Sequence, residues 1–198
     1  MSTSPHLQIE TSKEQAAALV RLLQDGFYLP NVAAGTSVRD FLTCVLGLDP
    51  DYIRNRIQSL FLDGKPVDDY DKAHVHDGSR LALSSALPGL VGATLRQGGL
   101  LASFRNTITY QETTSAAGGN SLVHVKLFNL IMDEMGPVLL QKGVLVKASV
   151  LRDFLAENQD VAGSSKKILL NTKPMDAASL LANDFAVSDL VRITVHSS

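Results

Sequence analysis

A collinear internal repeat is the strongest constraint on how this chain folds. Leu22-Leu23-Gln24-Asp25-Gly26 returns as Leu139-Leu140-Gln141-Lys142-Gly143. Ser37-Val38-Arg39-Asp40-Phe41-Leu42 returns, with one leucine inserted, as Ser149-Val150-Leu151-Arg152-Asp153-Phe154-Leu155. Leu60-Phe61-Leu62-Asp63-Gly64-Lys65-Pro66 matches Ile168-Leu169-Leu170-Asn171-Thr172-Lys173-Pro174, and Asp77-Gly78-Ser79-Arg80-Leu81-Ala82-Leu83 matches Asp189-Leu190-Val191-Arg192-Ile193-Thr194-Val195. Any one block is a common apolar word, but four in the same order define a duplicated folding unit. The spacings between blocks differ, and loops absorb such differences.

Each copy has room for a small α+β unit. In the second, residues 122–130 (LVHVKLFNL) alternate polar and apolar residues, 132–137 carry turn residues, and 138–147 resume a strand-like pattern, which predicts a β-hairpin. Ser149 is a candidate N-cap, with Val150, Leu151, Phe154 and Leu155 at helical spacing behind it. A short strand at 167–170, a turn at 171–174 and a closing strand at 190–196 complete a β-β-α-β-β order. The first copy follows this plan from Ser37 onward: a helix at 38–46, a strand at 58–62, a turn at 63–66 and a strand at 80–84. Its front end, residues 13–24 (KEQAAALVRLLQ), stays open between a helix, from its alanines and broad apolar face, and a strand, from the block match. The expected division is a first unit at 1–87 with an N-terminal extension, an apolar glycine-rich central segment at 88–120, and a second unit at 121–198.

The helix followed by FLDGKPV and VHDGSRLAL resembles the second half of the β-grasp superfamily, which includes ubiquitin and the small sulfur carriers of thiamine and molybdopterin synthesis. Asp63-Gly64 and Asp77-Gly78 match the turns of that pattern. The second copy departs from it with Asn171-Thr172 and Asp189-Leu190, where glycine's tolerance of positive φ is missing. The resemblance implies two tandem, diverged ubiquitin-like units. It also implies a carrier chemistry that works through a terminal Gly-Gly, which Val195-His196-Ser197-Ser198 does not offer. Cleavage after the internal Gly98-Gly99 of LRQGG would create such an end, but short glycine motifs more commonly mark loops.

Few residues suggest chemistry of their own. His74 and His76 flank Val75 and share one face of an extended segment, the spacing of two metal ligands that still want a third. Cys44 sits in FLTCVLGL with no adjacent His or Lys, which predicts a small core residue rather than a nucleophile. Asp63, Asp68, Asp69 and Asp71 lack the ligand spacing of a calcium loop. In the central segment Leu90, Val91, Leu95, Leu100, Leu101 and Phe104 need cover, either between the two units or on a partner or second copy of the chain.

With 18 Lys and Arg against 20 Asp and Glu and no basic stripe, a nucleic-acid surface is not expected. One cysteine rules out an intrachain disulfide. The polar start MSTSPHLQIETSKE has no signal-like apolar core, and Pro88, Gly89, Gly92, Arg96, Gly98 and Gly99 interrupt the most apolar stretch, so the expected setting is cytoplasmic with no membrane span. No motif for a cofactor or catalytic group is present in the sequence. The expected function is that of a non-enzymatic interaction or scaffold protein acting on a protein partner or as a homo-oligomer. The alternatives are a ubiquitin-like or sulfur-carrier-like protein released at Gly99 and a small-molecule or metal-binding module at His74 and His76.

Overall fold

The computed structural model describes residues 4–85, 95, 109–111, 119–183, 185 and 189–197. In chain order its elements are β1 (His6–Thr11), α1 (Lys13–Leu19, continued by a 3-10 turn Val20–Leu23), β2 (Phe27–Ala33), β3 (Thr36–Ser37), α2 (Val38–Asp40, continued by a π-helical turn Phe41–Val45), α3 (Pro50–Arg56), β4 (Ser59–Leu62), β5 (Lys65–Pro66), β6 (His74–Val75) and β7 (Arg80–Ser84). There follow β8 (Asn120–Phe128), α4 (Leu130–Lys142), β9 (Val144–Lys147), α5 (Ala148–Glu157), α6 (Gln159–Gly163), β10 (Lys167–Leu170), β11 (Lys173–Pro174), α7 (Ala177–Leu181) and β12 (Leu190–Ser197). The fold is mixed α+β. It divides into two compact units, Met1–Phe27 with Met132–Ser198, and Tyr28–Ile131.

In the first unit the strand order is β11-β10-β1-β12-β9. β1 runs parallel to β12 and antiparallel to β10, and β12 runs antiparallel to β9. Alternation along β1 buries Leu7 and Ile9, and along β12 Val191, Ile193 and Val195, so one sheet face is apolar, while the other carries the exposed Arg192 and His196 beside the buried Thr194 and Leu145. Leu19, Leu22 and Leu23 from the α1 region and Leu151 and Leu155 from α5 are buried with them. Fully burying each such side chain stabilises by roughly 1.5–3 kcal/mol.

Residues 13–24, open between two readings in the sequence, are helical: Ser12 caps α1 by accepting from the Gln15 amide at 3.3 Å. The expected hairpin of 122–130 with 138–147 does not form. Residues 130–142 are the helix α4, with Ile131, Met132, Leu139 and Leu140 buried at helical spacing. Gly136 and Pro137, which suggested a turn, lie inside it. Gly136 is there for space, since a Cβ at that position would stand 2.4 Å from Val20 Cγ1. The repeated Leu-Leu-Gln-X-Gly block is therefore a helix end. Gly26 (φ 93°) and Gly143 (φ 87°) take the left-handed conformation that stops a helix and releases the chain into β2 and β9. Ser149, expected as an N-cap, lies within α5, whose N-cap position is Lys147.

In the second unit the order is β2-β8-β7-β4-β5, with β3 and β6 forming a separate pair. β7 is antiparallel to β4 and parallel to β8. The strand expected to open the second copy is thus paired with the last strand of the first. Ser37 caps α2, accepting from the Asp40 amide at 3.0 Å. Val38, Phe41, Leu42 and Leu46 form the stripe that faces the core, where Leu60, Leu62, Leu81, Leu83, Val123 and Val125 are buried.

The turns that differ in sequence share one geometry. Asp63 and Gly64 have φ 51° and 80°, and Asn171 and Thr172 have φ 50° and 69°, so both β4–β5 and β10–β11 close through two left-handed residues. Thr172 adopts the conformation despite its branched Cβ. Both hairpins end in a Lys-Pro strand, a residue pair that discourages edge-to-edge pairing by charge and by the missing N–H.

Candidate functional site

Strand alternation gives the Tyr28–Ile131 unit a second sheet surface opposite its core, exposed at Arg80 and Phe128 and buried at Ser59 and Ser84. Cross-strand register sets Phe61 beside Ala82 and Ala82 beside Lys126 in one row, with Arg80 beside His124 in the next. The Tyr28 ring meets His124 with centroids 4.7 Å apart, and the Lys126 ammonium stands 5.7 Å from the centre of the Phe128 ring. Phe61, Ala82, His124 and Lys126 are half-buried, and Phe128 is 40% exposed. Ala82, the smallest side chain of the row, lies between Phe61 and Lys126. At one end of this surface Ser59 is buried and donates to the Leu95 carbonyl at 3.1 Å.

The corresponding surface of the other unit is more polar, with Leu169 beside Gln8 and Leu145 beside Arg192 as its apolar members. Register places His6 beside Arg192, Gln8 beside Thr194, and Glu10 beside both His196 and Lys167. His6 Nε2 and Thr194 Oγ1 are 2.9 Å apart, and burial, with the Arg192 charge second, lowers the His6 pKa from its ordinary value. A hollow of about 120 Å³ lies along Gln8, Glu10, Lys167 and His196.

An open cleft of about 630 Å³ lies in the Tyr28–Ile131 unit, with Ser37, Asp40, Cys44, Asp71 and His74 in its walls. Cys44 is exposed here, not a core residue, because the buried stripe of its helix runs through Phe41 and Leu42 and leaves position 44 on the other side. Asp71 is held by Arg39 through contacts of 2.5 and 2.9 Å, and that hydrogen bonding lowers the carboxyl pKa and raises that of the guanidinium. Asp40 accepts from the Ser37 hydroxyl at 2.8 Å.

The remaining sequence candidates are dispersed. His74 lies in β6, paired with Ser37, and His76 donates its amide to Ser79 Oγ at 2.9 Å. Both side chains flank the buried Val75. Among the described residues no group of three His, Cys, Asp or Glu side chains stands close enough to hold a metal ion. The four aspartates do not converge: Asp63 accepts from the Arg80 amide, Asp68 from Thr109, Asp69 pairs with Lys72, and Asp71 with Arg39. Gly98, Gly99, Leu90, Val91, Leu100, Leu101 and Phe104 lie outside the described residues. Leu95 is half-buried.

Two polar groups escape sequence reasoning. Among the described residues the Tyr70 hydroxyl and Ser121 Oγ are buried with no hydrogen-bond partner, and burial, with Asp68 nearby, pushes the Tyr70 pKa above its ordinary value. No protein-family model, curated protein or solved structure matches this chain.

Proposed function

We propose that the chain is a cytoplasmic, non-enzymatic protein-interaction module built from two diverged β-grasp-like units, and that the solvent face of the β2-β8-β7-β4-β5 sheet is its docking surface. The β-grasp reading is supported by a pattern common to both units: a parallel central pair, each member flanked by an outer strand, with a two-residue hairpin at one edge. The units differ in which strands fill the centre. The closing strand β7 sits beside β4, whereas its repeat equivalent β12 sits beside β9, and β1 takes the place next to β10.

The docking reading rests on the half-exposed Tyr28, Phe61, Ala82 and Phe128 on a regular sheet face beside cationic Arg80 and Lys126. Aromatic residues and arginine are enriched where proteins meet, and a rigid sheet presents them without ordering a loop. The cleft groups, by contrast, are engaged in local pairs: Ser37 with Asp40, and Asp71 with Arg39.

The test is affinity capture with tagged full-length protein from its native cells, run beside Phe61→Thr, a polar β-branched replacement that suits a strand. A stoichiometric protein retained by the natural chain and lost with Phe61→Thr supports the module. Equal capture by both chains refutes this face, and a bait found cleaved after Gly99 would favour carrier chemistry instead.

A further inference from the structure

Resting on that reading, we infer that the partner presents an acidic, apolar segment to the sheet face, with a large apolar side chain over Ala82 and carboxylates toward Arg80 and Lys126. Three features of the face set this chemistry. First, Ala82 lies between the larger Phe61 and Lys126 in its cross-strand row, so the row has a low point into which one side chain from outside can settle. Second, the fixed charges on the sheet-facing positions of β4, β7 and β8 are of one sign. Arg80 and Lys126 are cations, the other positions on this face of the three strands carry no carboxylate, and Asp63, just past the end of β4, accepts from the Arg80 amide at 2.7 Å. Third, Arg80 and Lys126 are diagonal neighbours on the parallel strands β7 and β8, roughly 8 Å apart at the backbone from the strand spacing and the two-residue rise. That separation matches residues i and i+2 on one face of an extended peptide, which can carry a carboxylate to each cation while a further same-face residue supplies the apolar side chain.

An anionic membrane shares the carboxylate's charge but fits the face less well. Two cations contribute only about 1 kcal/mol each toward such a surface, whereas Tyr28, Phe61, Ala82 and Phe128 offer an apolar platform that needs a complementary side chain.

The experiment is selection from a random displayed-peptide library on the full-length chain, followed by binding of the enriched synthetic peptides to the natural chain, Phe61→Thr and Arg80→Glu/Lys126→Glu. Circular dichroism establishes that the variants fold. The inference predicts peptides that combine two Asp or Glu residues with Leu, Met or Phe, bound at least about tenfold more weakly by the double charge reversal and more weakly by the natural chain as salt is raised. Peptides that need Phe61 but are neutral or basic, or that bind the double reversal equally, overturn the acidic partner and leave the docking face standing. Peptides indifferent to Phe61→Thr overturn both. Sedimentation of the natural chain, but not the double reversal, with phosphatidylserine vesicles in the absence of acidic peptide selection also overturns the inference, in favour of a lipid surface.

Discussion

The two equivalent hairpin turns allow a reciprocal exchange with opposite expected signs. Gly64 and Thr172 occupy the same turn position with φ 80° and 69°. A side chain in the left-handed region costs roughly 1–2 kcal/mol, while glycine adds about 0.5–1 kcal/mol of unfolded-state entropy to be lost on folding. Thr172→Gly is therefore expected to stabilise its hairpin by about 0.5–1 kcal/mol, and Gly64→Thr to destabilise its own by a similar amount. Nothing lies within 4 Å of a Cβ built on Gly64, so the effect there is the backbone's own. Urea unfolding, with native-state amide exchange in β4 and β10 so that each unit reports on itself, measures both. Equal signs for the two substitutions, or a destabilising Thr172→Gly, would refute the shared turn geometry.

Four other outcomes follow from the packing and the titrating groups. Gly136→Ala should destabilise by about 1–3 kcal/mol through overpacking against Val20, yet become stabilising by a few tenths or more in a Val20→Ala background, where helix propensity is left to act. Additive effects in that double-mutant cycle would remove the contact from the account. Tyr70→Phe should raise stability by about 1 kcal/mol, since it deletes a buried hydroxyl without a partner. Because the folded pKa of Tyr70 lies above its unfolded value near 10, the natural chain should also lose stability as pH rises beyond 10 in a way the variant does not, as differential scanning across alkaline pH would show. His6 has the opposite sign: its folded pKa is lowered, so its contribution is complete above pH 6.5 and lost as pH falls through the folded value, and His6→Gln should flatten that acid slope. Cys44 should react stoichiometrically with a thiol reagent in the native protein, whereas protection until unfolding would return it to the core.

The second half of each repeat was legible because its signals are local. Asp63-Gly64 writes its own turn, Ser37 its own cap, and the alternation in 190–196 its own strand. The front halves were not legible where tertiary packing decides: residues 13–24 stayed open between helix and strand, and 130–142 read as part of a hairpin. Gly136-Pro137 looks like a break until Val20 supplies the reason for a glycine, and the buried spacing of Ile131, Met132, Leu139 and Leu140 was helical throughout. Pairing partners were not legible either. β8 alternates as a strand in any context, and nothing in residues 120–128 specifies β7 over β9. The exposure of Cys44 could have been found by following the stripe of Val38, Phe41, Leu42 and Leu46 around the helix. The sheet face was missed because Phe61, Ala82 and Lys126 come from three separated strands and meet only through register.

Hydroxyl-radical footprinting of the full-length protein, free and in complex with the partner retained by affinity capture, tests the docking face most directly, since aromatic side chains report their own exposure. Protection of Tyr28, Phe61 and Phe128 on binding, with Tyr52 and Tyr110 unchanged, is the predicted result. Unaltered oxidation of Phe61 and Phe128 in a saturated complex would contradict it and place the partner elsewhere on the chain.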